Sequence, residues 1–146
     1  MASIYVMCDN ADQIPLKATE GAAGYDIKST KDLVLGCSPC IYTMGTGVSI
    51  QMPPDYCGLL MARSSLHQYG LSLANGVGLI DSDFRGEIKL KLKFDGFVFD
   101  ENLRVVKAGT RLAQIVFFQL PHTVVHIIKK LEESSRGNGS FGSTGE

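Results

Sequence analysis

No apolar run in this chain approaches the roughly 18 residues that a membrane-spanning helix needs. Its first residues, MASIYVMCDNADQ, lack the basic stretch followed by a long apolar one that marks a secretory leader. The expectation is a soluble, intracellular chain with no membrane partner. Neither sign of charge is in excess: 14 basic and 15 acidic residues leave a formal charge of -1. That balance excludes the broad electrostatic footprint of a duplex nucleic-acid binder. Cysteine is scarce. Of Cys8, Cys37, Cys40 and Cys57, only CSPC at 37 to 40 has motif-like spacing, and no second Cys/His pair matches it. Half a zinc site and a redox pair therefore rank behind reduced structural thiols. His122 and His126 are spaced as zinc ligands on a helix would be, yet HTVVHIIKKL is rich in β-branched residues and has no glutamate at its second position. The metalloprotease reading fails on that chemistry, and two strand histidines are expected instead.

What is present is a two-residue rhythm. EIKLKLKF, residues 87 to 94, places Ile88, Leu90, Leu92 and Phe94 on one face and Lys89, Lys91 and Lys93 on the other. Such alternation predicts a half-buried strand. Further strands are predicted at SIYVM, DLVL, YTMGTGVSI, CGLLMA, GLSLANGVGLI, RLAQIVFFQL and TVVHIIKKL, with glycine, proline, asparagine or aspartate in nearly every gap. At 146 residues the chain can bury a core without disulfides or metal. The expected fold is all-β, an antiparallel sandwich or barrel over residues 1–131, with one short helix at SSLHQYG, capped by serines and ended by Gly70. Residues 132–146 hold almost no apolar side chain apart from Phe141, so this tail cannot fold on its own account.

Five stretches could carry chemistry. In RGNGSFGSTGE, glycine amides, the Arg136 guanidinium and the hydroxyls of Ser143 and Thr144 suit an anion, while Phe141 suits a flat ring; a flexible solubilising tail is the plainer alternative. In GLIDSDFRGEI, Leu79 and Ile80 deliver Asp81 to the end of a strand, where a carboxylate can stand rigidly beside a substrate or simply serve a turn. In ARSSL, Arg63, Ser64 and Ser65 at a helix start suit a phosphate or an ordinary cap. AAGYDI places Asp26 beside a glycine turn. GTRLAQI starts a strand with Arg111 and Gln114, for which packing or pairing at a sheet edge is the default role.

Taken in order, AGYDI, RSSL, GLIDSDFRGEI, GTRLAQI and RGNGSFGSTG resemble the five motifs of the trimeric dUTP pyrophosphatase (dUTPase) family, over residues 23 to 145. The resemblance implies a distorted, jelly-roll-like β-sandwich, a homotrimer with active sites shared between chains, and hydrolysis of dUTP to dUMP and pyrophosphate. That reaction limits uracil incorporation into DNA and supplies dUMP for thymidylate synthesis. It further implies that Asp81 is the catalytic base, that Arg63, Ser64 and Ser65 meet the phosphates, and that Asn75 with the backbone around Gly78, Leu79 and Ile80 recognises uracil. Phe84 would lie under the deoxyribose and Lys89 would flank the pocket. The tail, 132–146, would be a lid bringing Arg136, Gly142, Ser143 and Thr144 to the phosphates and Phe141 to the base. Mg2+ would be held by the triphosphate and water, with Asp26 and Gln114 in its outer shell and no protein side chain as direct ligand. Phe84 stands where the family usually has tyrosine, Ser65 and Ser140 where it has glycine, and Ala62 where it has proline. Two alternatives share the resemblance: a dCTP deaminase-type enzyme of the same fold, and a dUTP-responsive regulatory binding protein.

Overall fold

A computed structural model describes residues 2–36, 39–96, 98 and 100–139. The strands are β1 (Tyr5–Cys8), β2 (Tyr25–Lys28), β3 (Leu33–Val34), β4 (Cys40–Gly45), β5 (Val48–Gln51), β6 (Tyr56–Ala62), β7 (Leu71–Leu73), β8 (Gly78–Ile80), β9 (Lys89–Phe94), β10 (Val105–Val106) and β11 (Arg111–Gln119). A four-stranded sheet in the order β2-β11-β6-β8 and a three-stranded sheet in the order β4-β9-β7 supply most of the framework, with β1-β5 and β3-β10 as two-stranded ribbons. Every named pairing is antiparallel. The fold is all-β, as its alternation predicts.

The rhythm of β9 becomes a physical partition: Leu90, Leu92 and Phe94 are wholly buried while Lys89, Lys91 and Lys93 face out. Opposite them in one continuous core lie Ile27 of β2, Leu60 of β6 and Ile115 of β11, so the apolar faces of both main sheets contribute to the same interior. At about 25 cal/mol per Å² of apolar surface buried, removal of these faces from water is the dominant favourable contribution to the fold.

The short helix exists, as a 3-10 helix over Ser64–Tyr69. Gly70 ends it with a left-handed backbone, φ 63°, a conformation glycine adopts without a Cβ clash. Its N-cap differs from expectation: the cap residue is Arg63, and no side chain makes the capping bond. The strand expected at GLSLANGVGLI is broken into two, β7 and β8. β7 pairs with β9 and β8 with β6, so residues 74–77 turn the chain from one sheet into the other, with Gly76 at φ 69°.

The strand expected at TVVHIIKKL does not form within the chain. Leu120 N–H still donates to the Asp55 carbonyl at 2.7 Å, but residues 121–128 belong to no strand, and Val125 and Ile127 are 91% and 100% exposed. A β-prone segment lacks a ladder here because no edge among the described residues receives it. His122 and His126 lie on this exposed segment rather than on a strand. Cys8 and Cys57 are free thiols; Cys37, and with it the CSPC pair, lies outside the described residues.

Candidate active site

Two groups of the predicted residues take shape on opposite ends of β6. The first surrounds Asp26, a buried carboxylate on β2. One of its oxygens is ion-paired with Arg63, just past the end of β6, and the other with Arg111 Nη1 at 3.3 Å. Gln114 lies opposite Asp26 in the β2-β11 ladder, and its amide donates to the Ala62 carbonyl at 3.3 Å. Ala22, Gly24, Asp26, Arg63, Ser64 and Gln114 line one cavity of about 230 Å³. Gly24 is required for this approach: a Cβ there would stand 2.8 Å from Gln114 Oε1 and 3.2 Å from its Cβ. A guanidinium, a hydroxyl and an amide thus converge on a space of phosphate size, with Asp26 orienting the cation. Ser65 follows Ser64 in the same 3-10 helix, half-buried.

The second group follows β8, an edge strand. Gly78 and Ile80 pair with Leu60 and Gly58 of β6. Among the described residues no strand covers the other side of β8, so alternate backbone N–H and C=O groups there face outward. Asn75 is exposed in the preceding turn, its amide nitrogen 3.4 Å from where a Gly78 Cβ would be. Asp81 comes directly after Ile80. Its carbonyl accepts from the Phe84 N–H at 3.2 Å, closing a turn, while its carboxylate is exposed and has no hydrogen bond or ion pair among the described residues. The Phe84 ring folds over Gly86, where a Cβ would meet it at 2.7 Å, and remains 42% exposed. Arg85 closes the turn from outside, donating to the carbonyls of Ser82 and Phe84 at 2.6 and 2.9 Å. Lys89 lies 3.9 Å from Glu87 at the start of β9.

The two groups are not brought together within one chain. Ile80 sits opposite Gly58, so Asp81 follows at the Tyr56 end of the seven-residue β6, whereas Arg63 follows its Ala62 end. At about 3.3 Å per residue their backbones are about 20 Å apart along the strand. Arg136 is exposed, and its carbonyl accepts from Gly139 N–H at 3.0 Å; Phe141, Gly142, Ser143 and Thr144 lie outside the described residues.

Arg111 is the member of the first group whose place the sequence does not predict. Packing or edge pairing is its expected role, yet it reaches Asp26. The available signal is the adjacent apolar pair Leu112 and Ala113, which breaks the two-residue alternation at that point.

Comparison with known proteins decides what this arrangement belongs to. The dUTPase family model matches residues 10–145. The chain belongs to the dUTPase family. The deoxyuridine 5'-triphosphate nucleotidohydrolase of Desulfitobacterium hafniense (strain DSM 10664 / DCB-2) is 43% identical over 97% of this chain and 93% of its own. The enzyme of the same description from Paramecium bursaria Chlorella virus 1 is 40% identical over 90% of this chain and 89% of its own. Among solved structures, a dUTPase variant of Staphylococcus bacteriophage 80alpha with dUpNHpp superposes with a TM-score of 0.84 at 25% identity, covering 99% of both chains. The all-β dUTPase fold and membership of a dUTP-hydrolysing family thus rest on the whole chain rather than on one motif.

No helix among the described residues is long and apolar enough to cross a membrane. No group of three or more His, Cys, Asp or Glu side chains among them could hold a metal ion.

Proposed function

We propose that this dUTPase-family chain hydrolyses dUTP to dUMP and pyrophosphate as a homotrimer, at sites that combine Asp81 of one chain with Arg63 of another. The observation that carries this reading is the exposed, unbonded carboxylate of Asp81 at the end of an edge strand, in a chain that the family model matches from residue 10 to 145. A carboxylate without a partner in its own chain can accept a proton from water. Asp81 takes one proton from a water molecule, the water oxygen bonds to the α-phosphorus in line, and the bond to the bridging oxygen breaks, releasing pyrophosphate.

Uracil pairs with the outward backbone groups of Gly78, Leu79 and Ile80 and with the Asn75 amide. A rigid backbone edge leaves no room for a methyl group on the base. Phe84 lies under the deoxyribose, where its ring crowds a 2'-hydroxyl, and Lys89 flanks the pocket. Arg63, Ser64 and Ser65 bind the phosphates from the neighbouring chain. The tail, 132–146, closes over bound nucleotide: Arg136, Gly142, Ser143 and Thr144 add phosphate donors and Phe141 covers the base.

Sharing between chains is supported by the distance along β6, since a site built by one chain would have to span about 20 Å between base and phosphate contact. It is supported again by residues 120–128. Val124, Val125, Ile127 and Ile128 are all exposed, and an exposed β-prone run of this kind is stable in water when another chain covers it.

The residues present fit a Mg2+ that arrives with the triphosphate. Asp26 is committed to two guanidinium groups, so it and Gln114 would hold such an ion only through water, in keeping with the habit of Mg2+ of retaining several. When bound, the ion neutralises charge on the triphosphate oxygens. The test is pyrophosphate release from each deoxynucleoside triphosphate in turn with magnesium: release from dUTP alone supports the reading, and equal release from dTTP removes the account of base selection.

A further inference from the structure

Arg111 and Gln114 are three residues apart, and in an unbroken strand an odd separation sends two side chains to opposite faces. Here the ladder slips. Arg111 lies opposite Lys28 and Ala113 opposite Ile27, so β11 absorbs one extra residue, Leu112, between them. Gln114 then falls opposite Asp26. Lys28 and Asp26 are two apart on β2 and share a face, and the bulge puts Arg111 and Gln114 on that same face while Leu112 and Ala113 are both fully buried. Bulges re-aim side chains in this way.

The consequence is a carboxylate held between two cations, one on each oxygen: Arg63 on Oδ1 and Arg111 on Oδ2. The Asp26 side chain is 8% exposed, against 24% for Arg63 and 52% for Arg111. The bulge also holds Arg63 directly, because the Leu112 carbonyl accepts from its backbone N–H at 3.2 Å. Arg63 faces the cavity it shares with Ser64 and Gln114. Arg111 faces another, of about 360 Å³, with Lys17, Lys28 and Gly109. Asp26 is common to both.

We propose that Arg111 is a positioning residue for Arg63, acting through Asp26; the proposal rests on the assignment of Arg63 as a phosphate contact. With Arg63 as sole partner, a buried carboxylate would direct its whole charge at that guanidinium and compete with phosphate oxygens for its donors. Arg111 engages the second oxygen. Asp26 then orients Arg63 without monopolising it, and Arg111 itself need not touch the nucleotide.

The experiment is a double-mutant cycle between Arg111→Gln and Arg63→Gln, read in the steady-state kinetics of dUTP hydrolysis and in calorimetric titration with inorganic pyrophosphate. R111Q alone is expected to raise KM and weaken pyrophosphate binding about tenfold, with kcat within about twofold of the parent. In the R63Q background the same change is expected to add less than about twofold, because its route of action is gone. R111K, which keeps the charge but not the planar fork, is expected to fall between. An unchanged KM in R111Q, or the same factor in both backgrounds, overturns the proposal. Should R111Q fail to fold, the cycle of R111K with R63K carries the same criterion. A parent protein that binds pyrophosphate but leaves dUTP intact would overturn the proposed function, and the calorimetric cycle would still decide the role of Arg111.

Discussion

Gly24 and Gln114 approach so closely that a single added carbon on the glycine would stand 2.8 Å from Gln114 Oε1. The amide cannot simply swing clear, because the Gln114 Cβ, fixed to the strand, would be only 3.2 Å away. Gly24→Ala therefore displaces Gln114 from the wall of the Arg63 cavity. The expected outcome is a fall in kcat/KM of about tenfold through lost positioning. Overpacking is expected to lower stability by about 1–3 kcal/mol. Steady-state kinetics alongside thermal unfolding check both; unaltered kinetics would place Gln114 outside the working site.

Phe84 presents its ring from a turn fixed by its own N–H on the Asp81 carbonyl and by Arg85 from outside. Shortening it to alanine should keep the turn and remove the surface that crowds a 2'-hydroxyl. The preference for dUTP over UTP in F84A is expected to drop on the order of tenfold. Competition between the two nucleotides measures it, and an unchanged preference would place sugar selection elsewhere.

Asp32 provides a pH test independent of catalysis. The backbone N–H of Ala108 donates to it at 2.8 Å and Lys107 Nζ at 2.9 Å, and these bonds lower its pKa below the ordinary aspartate value. A carboxyl whose folded pKa is depressed contributes stability that is present above its unfolded pKa and is lost as pH falls through the folded one. The difference in melting temperature between the parent and Asp32→Asn should hold steady from neutral pH down to about pH 4 and shrink below it. A difference that grows on acidification would contradict the bonding described.

Residues 120–128 carry the prediction for assembly. Replacing Val125 and Ile127 together by glutamate should leave the chain folded, since both side chains are exposed already, yet prevent a second chain from covering the segment. Sedimentation is expected to show a trimer for the parent and a monomer for the double variant, with dUTP hydrolysis lost alongside. A persistent trimer would show that the arm does not hold the assembly.

Alternation made most of the sheet legible, and β9 is its clearest case because a half-buried strand writes its two faces directly into the residue order. Glycine chemistry was legible at Gly70, where φ is positive. Three features were not. The short strands β2 and β10 are too brief to show a period, and Tyr25–Lys28 reads more readily as the sequel of a glycine turn. The placement of β7 and β8 in different sheets depends on which partners are available, which no local pattern records. The segment from Thr123 reads as a strand because its residues favour one, but a ladder needs a second edge that the described residues do not supply. In the candidate site, Asp81, Arg63 and Gln114 stand out in the sequence through their motifs, and their roles are the proposal made above. The joining of Arg111 to Asp26 depends on a one-residue slip in pairing, visible in sequence only as two adjacent apolar residues.

Subunit complementation puts the account at greatest risk. Asp81→Asn and Arg63→Gln chains, each impaired alone, are denatured, mixed in equal amounts and refolded together, and dUTP hydrolysis is measured. If each site takes Asp81 and Arg63 from different chains, random assembly should restore activity to about a quarter of the parent level. If one chain supplied both residues, every site in the mixture would retain a defect and no activity would return.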